Sequence, residues 1–266
     1  MTTLLANFAA LLIYLFASIY LWRAVRHQLP PSKSQLWGIC VLALLIHGLG
    51  IFSVSFTPSG FQLSLFNASS LIFWVINAIV LISSLKKPVH NLFILLFPLS
   101  CLSLIAALLG NYWGEYLLLD YELASHVILS ILAYSLLTIA SLQAIFLAYQ
   151  NKSLKTKQHI SQTRLLPPLQ TMESLLFEFV WIGEILLTLA IVSGFWFLED
   201  MFVQHQTHKT VFAIAAWFIY AGLLWGRYFR GWRGNKAIRW TLAGFISLML
   251  AYFGSKIVLE IILNRV

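Results

Sequence analysis

Two histidines, His47 and His126, stand inside long apolar runs of this 266-residue chain. An ionisable side chain in such a run costs several kcal/mol unless it is partnered, so each is a candidate for function. A buried imidazole can bridge neighbouring helices by a hydrogen bond. A neutral one can instead offer a ring nitrogen to a metal. Inside an apolar bundle the natural metal host is haem, because the porphyrin is itself apolar and fits between helices. Both readings stay open on spacing alone. The remaining histidines sit elsewhere: His27, His90 and His159 fall in basic connections, and His205 and His208 in one acidic-side loop.

Glu178 and Glu184 also lie within an apolar run. Six residues is about 600° of helical rotation, so they do not share a face. Glu178 can reach basic residues at one end of its run. Glu184 is deeper, and reads as a proton-relay residue or as a neutral, hydrogen-bonded acid. Lys256 and Glu260 are one turn apart and read as a local ion pair. Asn67 and Asn77 read as interhelical hydrogen-bonding residues. Cys40 and Cys101 form no CxxC, so thiol exchange has no residues to carry it. The chain also has no HExxH, no GxSxG and no glycine-rich phosphate loop.

The elements that must position these residues follow from composition. Apolar residues make up 60% of the chain and charged ones only 10%, with a mean hydropathy of +0.85. A soluble domain carries roughly 25% charged residues, and a disordered chain is never this apolar. Each apolar run of about twenty residues therefore reads as a transmembrane helix, since the backbone must satisfy itself within hydrocarbon. Eight such runs occur, at about Leu4–Trp22, Leu36–Phe56, Leu65–Leu85, Leu92–Gly110, Leu123–Tyr149, Leu175–Leu198, Val211–Phe229 and Trp240–Leu263. Pro30-Pro31, Lys86-Lys87-Pro88 and Pro167-Pro168 are the clearest breaks between them. No connection is long enough for a soluble domain. The expected fold is all-α: a single eight-helix transmembrane domain over residues 1–266.

Fourteen of the seventeen Lys and Arg fall in the first, third, fifth and seventh connections. By the positive-inside rule those connections are cytoplasmic and both termini lie outside. The net charge of +8 is then a topology signal and an attraction to anionic lipid, which leaves no nucleic-acid role. Trp22, Trp37, Trp74, Trp113, Trp196, Trp225 and Trp240 lie near expected span ends and read mostly as interfacial anchors. On this topology His47 lies roughly 16 Å into its span at 1.5 Å per residue. His126 sits about one turn below the outer surface. The first run lacks the basic start and small-x-small site of a cleavable signal.

Around His126 a pattern emerges. The stretch ELASHVILSILAYSLLTIASLQAIFLAY, Glu122–Tyr149, carries a histidine followed eight residues later by Ala133-Tyr134. MESLLFEFVWIGEILLTLAIVSGFWF, Met172–Phe197, carries Thr188, Leu189 and Gly194. Ala215–Ser255 ends two helices around a GWRG turn at Gly231–Gly234. Together these resemble the cytochrome c assembly superfamily of CcsA, CcmC and HemX-like membrane proteins, most directly over about residues 120–255. A HemX-like similarity extends into the N-terminal half, through LIHGLG around His47 and LSLFNASSLIF at Leu63–Phe73.

The resemblance implies a bacterial inner-membrane, multi-pass protein that handles haem, held non-covalently as b-type. His126 occupies the position of the family's outer histidine and is the implied axial ligand, with His47 as the less certain second. The implied partners are lipids, haem and other cytochrome c biogenesis or respiratory-chain proteins. The departures narrow the role. The tryptophan-rich WWD loop that presents haem is absent: this chain reads FLEDMFVQHQTHKTVF at Phe197–Phe212. A second outer histidine after the last helix is also missing. Haem ligation to apocytochrome by this chain alone is therefore not expected, and the chain reads as a non-enzymatic accessory. The alternatives are a permease-like transporter subunit and a membrane scaffold without haem.

Overall fold

Apolar runs bounded by proline and charged residues fold into helices, several of which overshoot the runs where polar flanks prolong the same hydrogen-bond ladder. The computed structural model describes residues 2–27, 31–57, 60–110, 117–118, 121–156, 166–197 and 207–254. Its helices are α1 (Thr2–Arg26), α2 (Lys33–Ser55), α3 (Leu65–Ser83), α4 (Phe93–Gly110), α5 (Tyr121–Thr156), α6 (Leu169–Phe197), α7 (Thr207–Arg230) and α8 (Asn235–Met249). A single 3-10 turn, His90–Leu92, precedes α4, and a π turn, Leu250–Gly254, follows α8. Among the described residues seven helices are long and apolar enough to cross a membrane. The eighth, α8, has 15 residues before the π turn, and the rest of the expected Trp240–Leu263 run lies outside the described residues, as do Lys256 and Glu260.

Three short strands accompany the helices, an element the hydropathy pattern does not announce. They are β1 (Phe56–Thr57), β2 (Gly60–Leu63) and β3 (Leu117–Leu118). β1 and β2 pair antiparallel, Phe56 opposite Phe61, and β2 pairs antiparallel with β3, Gln62 opposite Leu118. The second run was expected to stay helical through Phe56. Instead Phe56 turns extended and its ring lies 4.4 Å from that of Phe52 and 5.0 Å from that of Phe61.

The chain divides into two compact units. The first holds residues 1–124 with 152–168. Here α1 packs on α2 and α4, and α3 packs on α2 and α4, so the four helices close a ring. The core is Tyr14, Leu36, Cys40, Ile76, Phe93, Leu96, Phe97 and Leu104, all nearly or fully buried. Asn7 meets Gly50 so closely that a Cβ there would overlap its carboxamide. Trp74 sits mid-way along α3 and donates to the Leu44 carbonyl of α2 at 2.8 Å. It is therefore a helix-bridging residue rather than an interfacial one. Trp22 and Trp196 are well exposed, at 60% and 81%, as membrane-facing anchors should be.

The second unit holds residues 125–151 with 169–266. Its GWRG turn is built from left-handed glycines, Gly231 at φ +62° and Gly234 at φ +55°, which only glycine adopts without cost. The Trp232 amide donates to the Gly226 carbonyl at 3.0 Å, and the Trp232 ring lies flat on Gly226, where any Cβ would collide with it. Arg227 donates to Glu173 at 2.8 Å and to the Trp232 carbonyl at 3.3 Å, while its guanidinium stacks on Phe177. Gly226→Val is expected to dislodge Trp232 and open this clamp, at a cost of roughly 1–3 kcal/mol for overpacking. Thermal unfolding in detergent checks it, with Gly38→Val as the control, because nothing lies within 4 Å of a Cβ at Gly38.

Candidate functional site

The two candidate histidines fall in different units and in different chemical settings. His47, on α2, is fully buried. Its Nδ1 is 3.3 Å from the Tyr14 hydroxyl of α1, and its Nε2 is 2.8 Å from the Ser70 hydroxyl of α3. The Tyr14 ring meets the imidazole edge-on at 5.7 Å. One residue thus ties three helices together and has both ring nitrogens engaged.

His126 lies near the N-terminal end of α5 and is only partly buried. Its Nδ1 is 3.1 Å from the Ser193 hydroxyl, near the C-terminal end of α6. Ser193 has one proton, and that proton goes to the Ala190 carbonyl at 2.9 Å. With the Ser193 hydroxyl directed to Ala190, its oxygen accepts from His126 in the tautomer that carries the proton on Nδ1. The Ala190 carbonyl also lies within hydrogen-bonding reach of the ring, and with the proton on Nδ1 the Nε2 lone pair is the one left for a metal. Metal-bound histidines are held in this way: one ring N–H goes to a fixed acceptor and the other nitrogen is left for the metal.

The residues that carried the family resemblance stitch the same unit together. Tyr134 donates to the Leu248 carbonyl at 3.2 Å. Thr188 accepts from the Trp217 indole at 2.8 Å and donates to the Glu184 carbonyl. Ala133 is fully buried, and Gly194 is buried as well. Further along α6 and α5, Gly183 lets Leu137 approach, and Gln143 donates to the Met172 carbonyl. α5 and α6 are thus joined by side chains along most of their length.

A family model described as cytochrome c assembly protein matches residues 38–263. The chain belongs to the cytochrome c assembly family. It is 33% identical over 226 residues to the inner membrane protein YpjD of Escherichia coli (strain K12), covering 84% of this chain and 85% of that one. It is 28% identical over 112 residues to the cytochrome c biogenesis protein CcsA of Prochlorococcus marinus (strain NATL1A), covering 41% of this chain and 34% of the relative. The CcsA of Gloeobacter violaceus is 26% identical over 87 residues, covering 32% and 26%. No solved structure matches. With seven membrane-length helices and this likeness to an inner membrane protein, this member of the cytochrome c assembly family is a multi-pass inner-membrane protein.

The sequence alone did not single out Ser193, Trp217 or Tyr220. Ser193, beside Gly194, carries no chemical signal of its own in the sequence, and only the antiparallel pairing of α5 and α6 brings it opposite His126. Glu178 is exposed on α6 and Glu184 buried, as their separate faces required. His159, His205 and the acidic residues of 198–200 fall outside the described residues. Among the described residues no three His, Cys, Asp or Glu side chains gather as a metal site. A lone imidazole suffices where the metal arrives in its own macrocycle.

Proposed function

We propose that this cytochrome c assembly protein is a non-enzymatic haem-handling protein, with His126 as axial ligand to a non-covalent, b-type haem. The observation that carries the reading is the relay from His126 Nδ1 through Ser193 to the Ala190 carbonyl, which leaves Nε2 open. The bound group would supply an iron centre and a redox couple. The chain's own residues orient the imidazole, fix its tautomer and surround it with apolar helix faces. His47 joins the ligand set only by releasing Ser70 or Tyr14. The lipid phase, haem and proteins of cytochrome c or respiratory-complex assembly are the partners this reading implies. Without the tryptophan-rich outer loop, the chain acts beside a haem-attaching protein and does not attach haem itself.

The experiment is a visible spectrum of the protein purified in mild detergent from haem-replete cells. A Soret band near one haem per chain is expected, and its absence would sink the reading and favour a permease subunit or scaffold. Ser193→Ala is expected to weaken haem binding by roughly 10–100-fold, the usual loss when a ligand's supporting hydrogen bond goes. Haem titration of the detergent-solubilised variant measures it.

The topology we propose has eight spans in one transmembrane domain, with both termini outside. Reporter fusions at Asn151 and Asn235 are expected to read cytoplasmic, and one after Val266 periplasmic. A cytoplasmic reading after Val266 would reverse the assigned depth of His126.

A further inference from the structure

The core of the second unit holds a carboxyl with no hydrogen bond among the described residues. Glu184 on α6 is 7% exposed. Both of its carboxyl oxygens are buried and, among the described residues, neither has a hydrogen-bond partner. A carboxylic acid kept for structure uses its O–H and C=O in hydrogen bonds. This one carries the cost of leaving water and returns no bond.

The titratable neighbour that the structure ties to it is a phenol, Tyr220 of α7. Tyr220 of α7 is fully buried and interacts electrostatically with Glu184 and with Tyr134 of α5. The Tyr134 ring is 5.6 Å from that of Tyr252 in the π turn. Each of two phenols has committed its proton to a backbone carbonyl: Tyr220 to Thr241 of α8 at 3.4 Å, and Tyr134 to Leu248 at 3.2 Å. Their oxygens therefore keep lone pairs for another donor. Tyr220 is pinned, since a Cβ on Gly244 of α8 would lie 2.7 Å from its Cζ. Trp217, one turn before Tyr220 on α7, is spent on Thr188.

Charged groups on these elements lie elsewhere. Arg227 and Arg233 are both bound to Glu173, eleven residues and about three turns of α6 from Glu184. Glu178 is exposed, and Lys209 sits in the first turn of α7. Arg230, Lys236 and Arg239 gather at the far end, around the GWRG turn.

We propose that Glu184 is a proton-binding site: its carboxyl holds a proton inside the second unit at neutral pH, beside the buried phenol of Tyr220. The site is independent of the haem reading, and haem-free protein tests it equally well.

The test is an infrared difference spectrum, at neutral pH, between membranes of the full chain and of Glu184→Gln. A protonated-acid C=O band is expected in the wild type, lost in the variant and moved to lower frequency in D2O. If the variant instead loses carboxylate stretching bands, the proposal is overturned. Dicyclohexylcarbodiimide, an apolar reagent for protonated carboxyls, is expected to modify the Glu184 peptide in wild type and in Glu178→Gln. A Glu184 peptide left unmodified while Glu178 reacts also overturns the proposal. Should Glu184→Gln fail to insert, Tyr220→Phe replaces it. Removal of the phenol is expected to shift the acid band, and an unshifted band rules out this placement of the proton.

Discussion

Replacing His126 with Ala is expected to abolish the Soret band while leaving insertion and abundance unchanged. The effect is large because the change removes the proposed iron–nitrogen bond outright, whereas Ser193→Ala only releases the ring. The fold should tolerate it. His126 is partly exposed, and the hydrogen bonding lost, to Ser193 and Ala190 of α6, is interhelical, worth about 0.6 kcal/mol per bond on average inside membranes. Ser193 keeps its own bond to the Ala190 carbonyl, so no new buried donor is stranded. Added imidazole should restore part of the band by entering the vacated space with its nitrogen free. An unchanged spectrum in His126→Ala would end the assignment, and a haem-free wild type would return His126 to a helix-bridging role.

The second large effect is expected at His47 and is one of stability. His47→Ala should lower the unfolding free energy in detergent by about 2–4 kcal/mol. Two interhelical hydrogen bonds disappear, each worth roughly 0.6–1.7 kcal/mol. An emptied ring volume in a close-packed core adds the rest. The loss also leaves the Tyr14 and Ser70 hydroxyls without their partner, in a region where water cannot replace it. His47→Gln, which can still reach one of them, should cost less. Graded heat or denaturant unfolding, read beside the visible spectrum, separates the two roles. A stability loss with an unchanged band marks His47 as the tie between α1, α2 and α3. A lost band in a protein of normal stability would make it a ligand.

Much of this was legible in the residues. Apolar runs of about twenty residues dictate helices in any solvent that cannot hydrogen-bond the backbone. Every described span therefore appears within a few residues of its expected place. The ends were less legible, because a helix stops where its cap and its neighbours decide. α6 starts at Leu169, just after Pro167-Pro168, where apolarity alone suggested Leu175. Glu173 in that added stretch is held by Arg227 and Arg233 from a distant turn. The short ribbon of β1, β2 and β3 escaped notice because strands of two to four residues leave no periodicity to read. Trp74 looked like an anchor only because its partner, the Leu44 carbonyl, belongs to another helix.

The sequence by itself determined that this is a helical membrane protein and that His47, His126, Glu178 and Glu184 are ionisable residues within its apolar runs. Those conclusions rest on composition and order along the chain, which hydrocarbon and the backbone translate directly into structure. Tertiary structure alone decided what each costly residue does. The same imidazole is engaged at both nitrogens in His47 and at one in His126. That difference depends on which hydroxyls other helices bring within 3 Å or so. Ser70 and Ser193 are ordinary serines in the sequence, and hydrogen bonding at that range is set by packing, to which the order of residues along one helix is blind.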